Sequence, residues 1–411
     1  MPKDKLIRSI LILNLISFFV FPTILSELNF LLTLFLFIYI VFAKNNLKII
    51  LNNICLKDQI LYGSLLFLFC LYGLIRNYPG AYPLTRLYLI APLIISFIFG
   101  VFNNYLKKHD LIRILIISVY LIFIVTLFNL ISPAFSEFLG IRDGVNQIIG
   151  RTISYPGVRT IYFAAPFLFC FFARTNSHDL KKIINISFYY FAMLICLILL
   201  FLNFSGTSIF IMSSSITILL IESIKNTVLK LPKIKYRELI LFIILILVFI
   251  ISFILFRTQL NNLFIISLRI FGISSEVSDL KRTFQFEKLF QSFLLSPFFG
   301  NGLGIDNQLY RSERPWDSEL SYLNTLNQLG IIGITPLFLL HFNPFYKIIL
   351  KCSFSLLNLR KLFKLNYYIS YSFALGIVVI CGSVNPILSS IDNTLIFFFP
   401  ILFINSFSEY Y

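Results

Sequence analysis

The sequence predicts an all-α polytopic membrane protein of about twelve transmembrane helices, with a large extracytoplasmic loop that contains amphipathic helix. Three observations predict it. The 411 residues are 58% hydrophobic and only 13% charged, with a mean hydropathy of +0.88. Apolar runs recur that are long enough to cross a hydrocarbon core about 30 Å thick. The basic residues also sort to two sides once those runs are laid across a membrane.

In chain order, helices are expected at 9–26, 28–43, 59–75, 87–102, 111–132, 159–173, 184–203, 206–222, 239–256, 320–341, 367–384 and 393–408. The runs at 28–43 and 159–173 are short against the ~20 residues a crossing needs, so each borrows from its flanks, as Tyr155 to Val158 do for the second. The first run has no small-residue cleavage site and leads straight into the next, which reads as a retained helix. Cysteines 55, 70, 170, 196, 352 and 381 fall in spans or inner loops, so no extracytoplasmic disulfide framework is expected. The whole of 1–411 reads as one integral membrane domain.

Placing the N-terminus inside puts 22 of the 34 basic residues in inner loops, including Lys3, Lys5, Arg8, Lys107, Lys108, Lys347 and Lys351. The positive-inside rule then makes both termini cytoplasmic. Lysine-rich loops facing anionic lipid account for the +16 net charge without nucleic acid. The outer side keeps Arg76, Arg86, Arg142, Arg151, Arg159, Arg257, Arg269, Arg282, Arg311 and Arg314, but only Lys281 and Lys288 among lysines. Topology does not explain that choice. A guanidinium is a rigid fork that grips phosphate or carboxylate bidentately, so the excess reads either as solvated loop charge or as an outward site for an anionic substrate.

Two outer loops are long, 133–158 and 257–319. Within the second, Leu280, Phe284, Leu289, Phe290 and Phe293 make one face of an amphipathic helix interspersed with Lys281, Arg282, Glu287 and Lys288. Such a helix lies on the membrane surface or caps the bundle. Ser296-Pro297 ends it, and Gly300, Gly302 and Gly304 form a turn able to take positive φ. Asp306, Arg311, Glu313, Arg314, Trp316, Asp317 and Glu319 follow, and the tenth helix opens with Ser321, Tyr322, Asn324, Thr325, Asn327 and Gln328 before Gly330-Ile331-Ile332-Gly333. Asp317, Ser321, Asn324 and Gln328 share a helical face, which polar side chains in a span use for interhelical hydrogen bonds or to line a wet cavity. The first long loop carries Arg142, Arg151 and Arg159 among glycines and turn formers, as an opposite wall would.

The twelve-helix plan, together with Arg282, the amphipathic helix, Pro297-Phe-Phe-Gly-Asn-Gly-Leu-Gly304, the acidic position and the Gly-Ile-Ile-Gly helix, resembles the O-antigen and exopolysaccharide polymerases, whose superfamily also contains the O-antigen ligases. Specific residues carry this resemblance over about fifty positions, from Arg282 to Gly333. It departs at the Ser-Arg pair often found early in a middle helix, which stands here as Ser208-Ile209. The resemblance implies undecaprenyl-pyrophosphate-linked oligosaccharide as substrate, membrane lipid and a chain-length regulator as partners, an inner-membrane location, and glycosyl transfer with no metal or other cofactor. Arg151, Arg159 and Arg282 would hold the diphosphate, and Glu319 would be the base, with Asp317 as its substitute.

Two other functions compete. A ligase would need an outward histidine, whereas His109, His178 and His341 all map to the inner side. A lipid-linked oligosaccharide flippase would show two similar halves with short outer loops, and the 257–319 loop has no counterpart in the first half.

Overall fold

The computed structural model describes residues 2–21, 54–102, 106, 109–131, 157–175, 185–202, 206–228, 277–307, 316, 318, 320–353 and 362–381, with scattered positions between 31 and 42. All regular structure among the described residues is helical. Three of these helices are long and apolar enough to cross a membrane, over Lys57–Ile75, Asp110–Phe128 and Ser321–Asn343. The expected helices at 239–256 and 393–408 lie outside the described residues, as does most of 28–43.

The first helix, α1, is Pro2–Val20 and not 9–26. Its basic start is already helical because the Arg8 fork closes on Asp110, with Nη2 to Oδ1 at 2.6 Å and Nε to Oδ2 at 3.0 Å. The Pro22 that follows disfavours helix at Phe21. Next come α2 (Ile54–Ile75) and α3, in which Ala81–Thr85 passes through a π-helical turn at Arg86–Ile90 into Ala91–Phe102. Then follow α4 (Asp110–Ile131), α5 (Val158–Arg174), α6 (Ile186–Leu202), α7 (Gly206–Val228) and the amphipathic α8 (Val277–Leu295). The last two are α9 (Ser321–Ser353) and α10 (Leu362–Cys381). α9 runs twelve residues past its expected end at 341, carrying Lys347 and Lys351 into helix.

The larger core surrounds α5, which packs on α4, α6, α7 and α10. Every residue from Thr160 to Cys170 is buried, as a helix apolar all round requires. Phe163, Phe167 and Phe171 stack at 5.8 Å intervals along one face, and Tyr367 and Tyr371 of α10 meet them edge-on. A smaller core joins Leu66 and Cys70 of α2 and Leu84, Tyr88 and Leu89 of α3 to Leu303 and to Leu329, Leu337 and Leu340 of α9.

Helix ends meet in two sets. Arg8 joins Asp110, the Arg174 carbonyl accepts from Asn366 Nδ2 at 2.6 Å, and Asn343 Nδ2 donates to Asp58 at 3.3 Å. At the other end Thr160 donates to the Phe19 carbonyl, Gly80 N–H to the Gly304 carbonyl, and Tyr322 OH to the Val379 carbonyl. Lysine distribution had assigned the first set to one side of the membrane and the second to the other. These contacts run α1, α2, α4 and α10 in one direction and α5 and α9 in the other.

Candidate functional site

The turn after α8 is built into the middle of α9. Gly330 has φ 65° and ψ −179°, a backbone conformation open essentially to glycine alone, and it breaks the helix. A continuous helix would send the N–H groups of Ile331 and Ile332 to the carbonyls of Asn327 and Gln328. Instead Ile331 N–H donates to the Pro297 carbonyl at 2.9 Å and Ile332 N–H to that of Phe298 at 3.0 Å. The freed Asn327 and Gln328 carbonyls accept from Asn301 N–H at 2.9 Å and Gly302 N–H at 3.0 Å. Two lost ladder bonds thus become four bonds to an inserted segment. This is how non-helical backbone survives at membrane depth, where an unpaired amide costs several kcal/mol.

The insertion demands close approach. A Cβ on Gly300 would strike the Gln328 carbonyl oxygen, and one on Gly330 the Phe298 carbonyl oxygen. Gly300, Gly302 and Gly304 all have positive φ, as the sequence led one to expect. The break at Gly330 was not foreseen, because hydropathy averages over it. Its signal was present as Gly330 and Gly333 interrupting an apolar run.

Side-chain amides reinforce the joint. Asn301 Nδ2 donates to the Ser292 carbonyl at 2.8 Å and to Asn327 Oδ1 at 2.7 Å. Asn327 Nδ2 then donates to Asn307 Oδ1 at 3.1 Å, and Asn307 Nδ2 to Asn324 Oδ1 at 2.6 Å. Gln328 Nε2 and Asn324 Nδ2 both reach the Trp316 carbonyl, at 3.0 and 2.9 Å, and Gln328 Oε1 accepts from Gly304 N–H at 3.2 Å. Ser321, Asn324 and Gln328 are all buried. Ser321, Asn324 and Gln328 therefore share one buried face of α9, with the Asn324 and Gln328 amides engaged with the loop, while Asp317, the fourth residue expected on it, lies outside the described residues. Tyr322 points elsewhere, donating to the Val379 carbonyl of α10 at 2.6 Å.

Against this joint lies the hairpin from α2 to α3. A Cβ on Gly73 would strike the Leu303 carbonyl, one on Gly304 the Ala81 amide, and one on Gly80 the Trp316 ring. The π-turn at Arg86–Ile90 brings buried Tyr88 to α9, its hydroxyl 3.3 Å from Thr325 Oγ1. Neither was anticipated, although π-turns recur at functional sites. Burial pushes the Tyr78 phenol above its ordinary range, with a smaller contribution from Tyr72 beside it, while Arg76 acts the other way.

The remaining candidates divide. Gly300, Gly302, Gly304, Ser321, Asn324 and Gln328 come together. Arg159 is half-buried in the first turn of α5, on the larger core. It shares an end with the joint, because α10 runs antiparallel to α5 and its Val379 receives Tyr322. Arg282 lies in α8. Arg151, Asp317 and Glu319 lie outside the described residues. Among the described residues at this end, Gln285 Oε1 and Ser318 Oγ are buried polar atoms without a hydrogen-bond partner.

Comparison with known protein families finds none that matches this chain, and comparison with characterised proteins likewise finds no match.

Proposed function

We propose that this chain is a polysaccharide polymerase of the bacterial inner membrane, which crosses the bilayer about twelve times with both termini in the cytoplasm. It joins undecaprenyl-pyrophosphate-linked repeat units into a surface glycan on the outer face. The observation that carries the reading is the lodging of the glycine turn in a broken α9, directly after an amphipathic helix and at the end where the outer arginines were expected. Broken helices of this kind recur where membrane proteins bind polar substrates at depth.

In the proposed reaction the acceptor hydroxyl oxygen forms a new bond to the anomeric carbon of the donor sugar. The bond from that carbon to the diphosphate oxygen breaks, and the lipid diphosphate leaves with the electron pair. Arg151, Arg159 and Arg282 stabilise the departing charge as forked donors, so lysine would replace them poorly. The acceptor proton passes to the Glu319 carboxylate, or to Asp317 in its place.

The test is reconstituted protein supplied with a lipid-linked repeat unit, with product length read on gels. Glu319→Gln keeps size and hydrogen bonding but removes the base, so polymer formation is expected to fall by ~10²–10⁴-fold. Wild-type turnover by a folded Glu319→Gln protein would remove Glu319 from the mechanism. Failure of the wild-type protein to lengthen any lipid-linked glycan would remove the reading itself.

A further inference from the structure

On the face of the inserted turn away from the amide network lies a groove of about 880 Å³. Leu65, Leu68 and Phe69 of α2, Phe299 of the turn, and Ile331 and Ile332 of α9 line it. We propose that this groove holds the acyl chains of one bilayer phospholipid, whose monoanionic headgroup rests on Arg76.

The chemistry of the lining selects hydrocarbon. Two of its side-chain hydroxyls donate to backbone, Ser296 Oγ to the Gly300 carbonyl at 2.9 Å and Thr335 Oγ1 to the Ile331 carbonyl at 2.8 Å, while the Tyr72 ring packs edge-on to that of Tyr78, centroids 6.5 Å apart. The Ser296 and Thr335 protons are thus spent on backbone carbonyls, and the rest of the lining is mainly hydrocarbon. Apart from Phe69, the named side chains are between 45% and 67% exposed, and all but Phe299 stand on two helices long and apolar enough to cross a membrane. Lipid is the medium such surfaces face.

Depth identifies the kind of lipid. Leu65 to Ile75 is ten residues, which at ~1.5 Å per residue is about 15 Å, half of a ~30 Å hydrocarbon core. The groove therefore matches the chains of a single leaflet. One helical turn beyond Tyr72, which also lines the groove, the exposed Arg76 guanidinium sits 5.6 Å from the centroid of the Tyr72 ring and makes no ion pair among the described residues. One fixed cation at the level of the headgroups complements one anionic phosphate. The lipid touches Phe299 and Gly300 on one side of the turn, while Asn301 bonds Asn327 on the other. It props the turn into the break of α9, and the proposal stands independently of any reaction.

The test is native mass spectrometry of the detergent-solubilised protein, expressed in membranes that contain phosphatidylglycerol and phosphatidylethanolamine. One phospholipid is expected to stay bound, with phosphatidylglycerol favoured about five-fold over its membrane abundance. Leu68→Trp and Thr335→Trp fill the groove from opposite walls at exposed positions, and each is expected to abolish retention while the protein still elutes as a single species. Arg76→Gln is expected to keep the lipid and lose the five-fold preference. Retention undiminished in both tryptophan variants overturns the proposal, as does a polyprenyl lipid in place of the phospholipid, or a headgroup preference unchanged by Arg76→Gln.

Discussion

Around α5 and at the break of α9 the chain meets one demand, that no backbone amide go unpaired away from water, by opposite means. α5 keeps its ladder except at Pro166, which has no N–H for the Tyr162 carbonyl, and fills the space around it with rings, Phe163, Phe167 and Phe171 against Tyr367 and Tyr371. α9 gives up two ladder bonds at Gly330 and recovers four from a segment some thirty residues upstream. The first arrangement depends on volume. The second depends on donors, acceptors and glycine, and it leaves polar side chains gathered at one depth. That difference separates a region held by packed volume from one held by matched donors and acceptors, where the proposed reaction would be sited.

The largest expected effect belongs to the aromatic region. Phe167→Ala removes the ring at the centre of the stack, fully buried, and is expected to cost about 3–5 kcal/mol. Thermal unfolding in detergent measures it, and the comparison fails if the loss is no greater than that of an exposed residue such as Phe286→Ala.

Gly330→Ala acts on the other region. The residue would occupy a glycine-only conformation at a cost of order 1–3 kcal/mol, with its Cβ driven into the Phe298 carbonyl. The turn is expected to leave the break, exposing 296–307 to protease while the α5 core melts as before. Unchanged proteolysis of that segment would mean that the insertion is not what fixes it.

Asn327→Leu comes next, because it leaves the half-buried side-chain amides of Asn301 and Asn307 each one hydrogen bond short, at about 0.5–1.5 kcal/mol apiece. The measure is again selective cleavage of the turn. A leucine accepted there without cost would mean that water replaces the lost bonds, and the joint would then be wetter than its burial implies.

What could be read beforehand follows the same divide. Apolar runs gave away α2, α4, α5, α6 and α7 within a few residues at most ends, because burial in hydrocarbon is a property of local composition. Charge and aromatic spacing likewise located α8, and glycine clustering located the turn. The break at Gly330 was invisible, since it depends on which distant carbonyls meet Ile331 and Ile332, and no window of sequence contains both partners. The start of α1 was misplaced for a related reason: Arg8 looked like a loop charge until Asp110, a hundred residues on, neutralised it. The stripe of Ser321, Asn324 and Gln328 was legible as a face, but its partners in Asn307 and Trp316 were not.

The smallest perturbation sharpens the comparison most. Among the described residues each region has a hydroxyl pair joining two helices: Tyr162 with Ser208 at 3.2 Å between α5 and α7, and Tyr88 with Thr325 at 3.3 Å between α3 and α9. All four residues are buried. Tyr162→Phe and Tyr88→Phe each delete one oxygen and keep the ring, so each is expected to cost about 0.5–1.5 kcal/mol, and the two proteins should melt alike. Their effect on activity should differ. Tyr88 rises from the π-turn onto the polar half of α9, three residues from Gln328, whereas Tyr162 faces the aromatic core. In the proposed polymerisation, product length at matched protein level is therefore expected to shorten for Tyr88→Phe and stay unchanged for Tyr162→Phe. Equal losses in both would make each effect one of stability alone, and a loss confined to Tyr162→Phe would move the working region from the joint in α9 to the start of α5, where Arg159 stands.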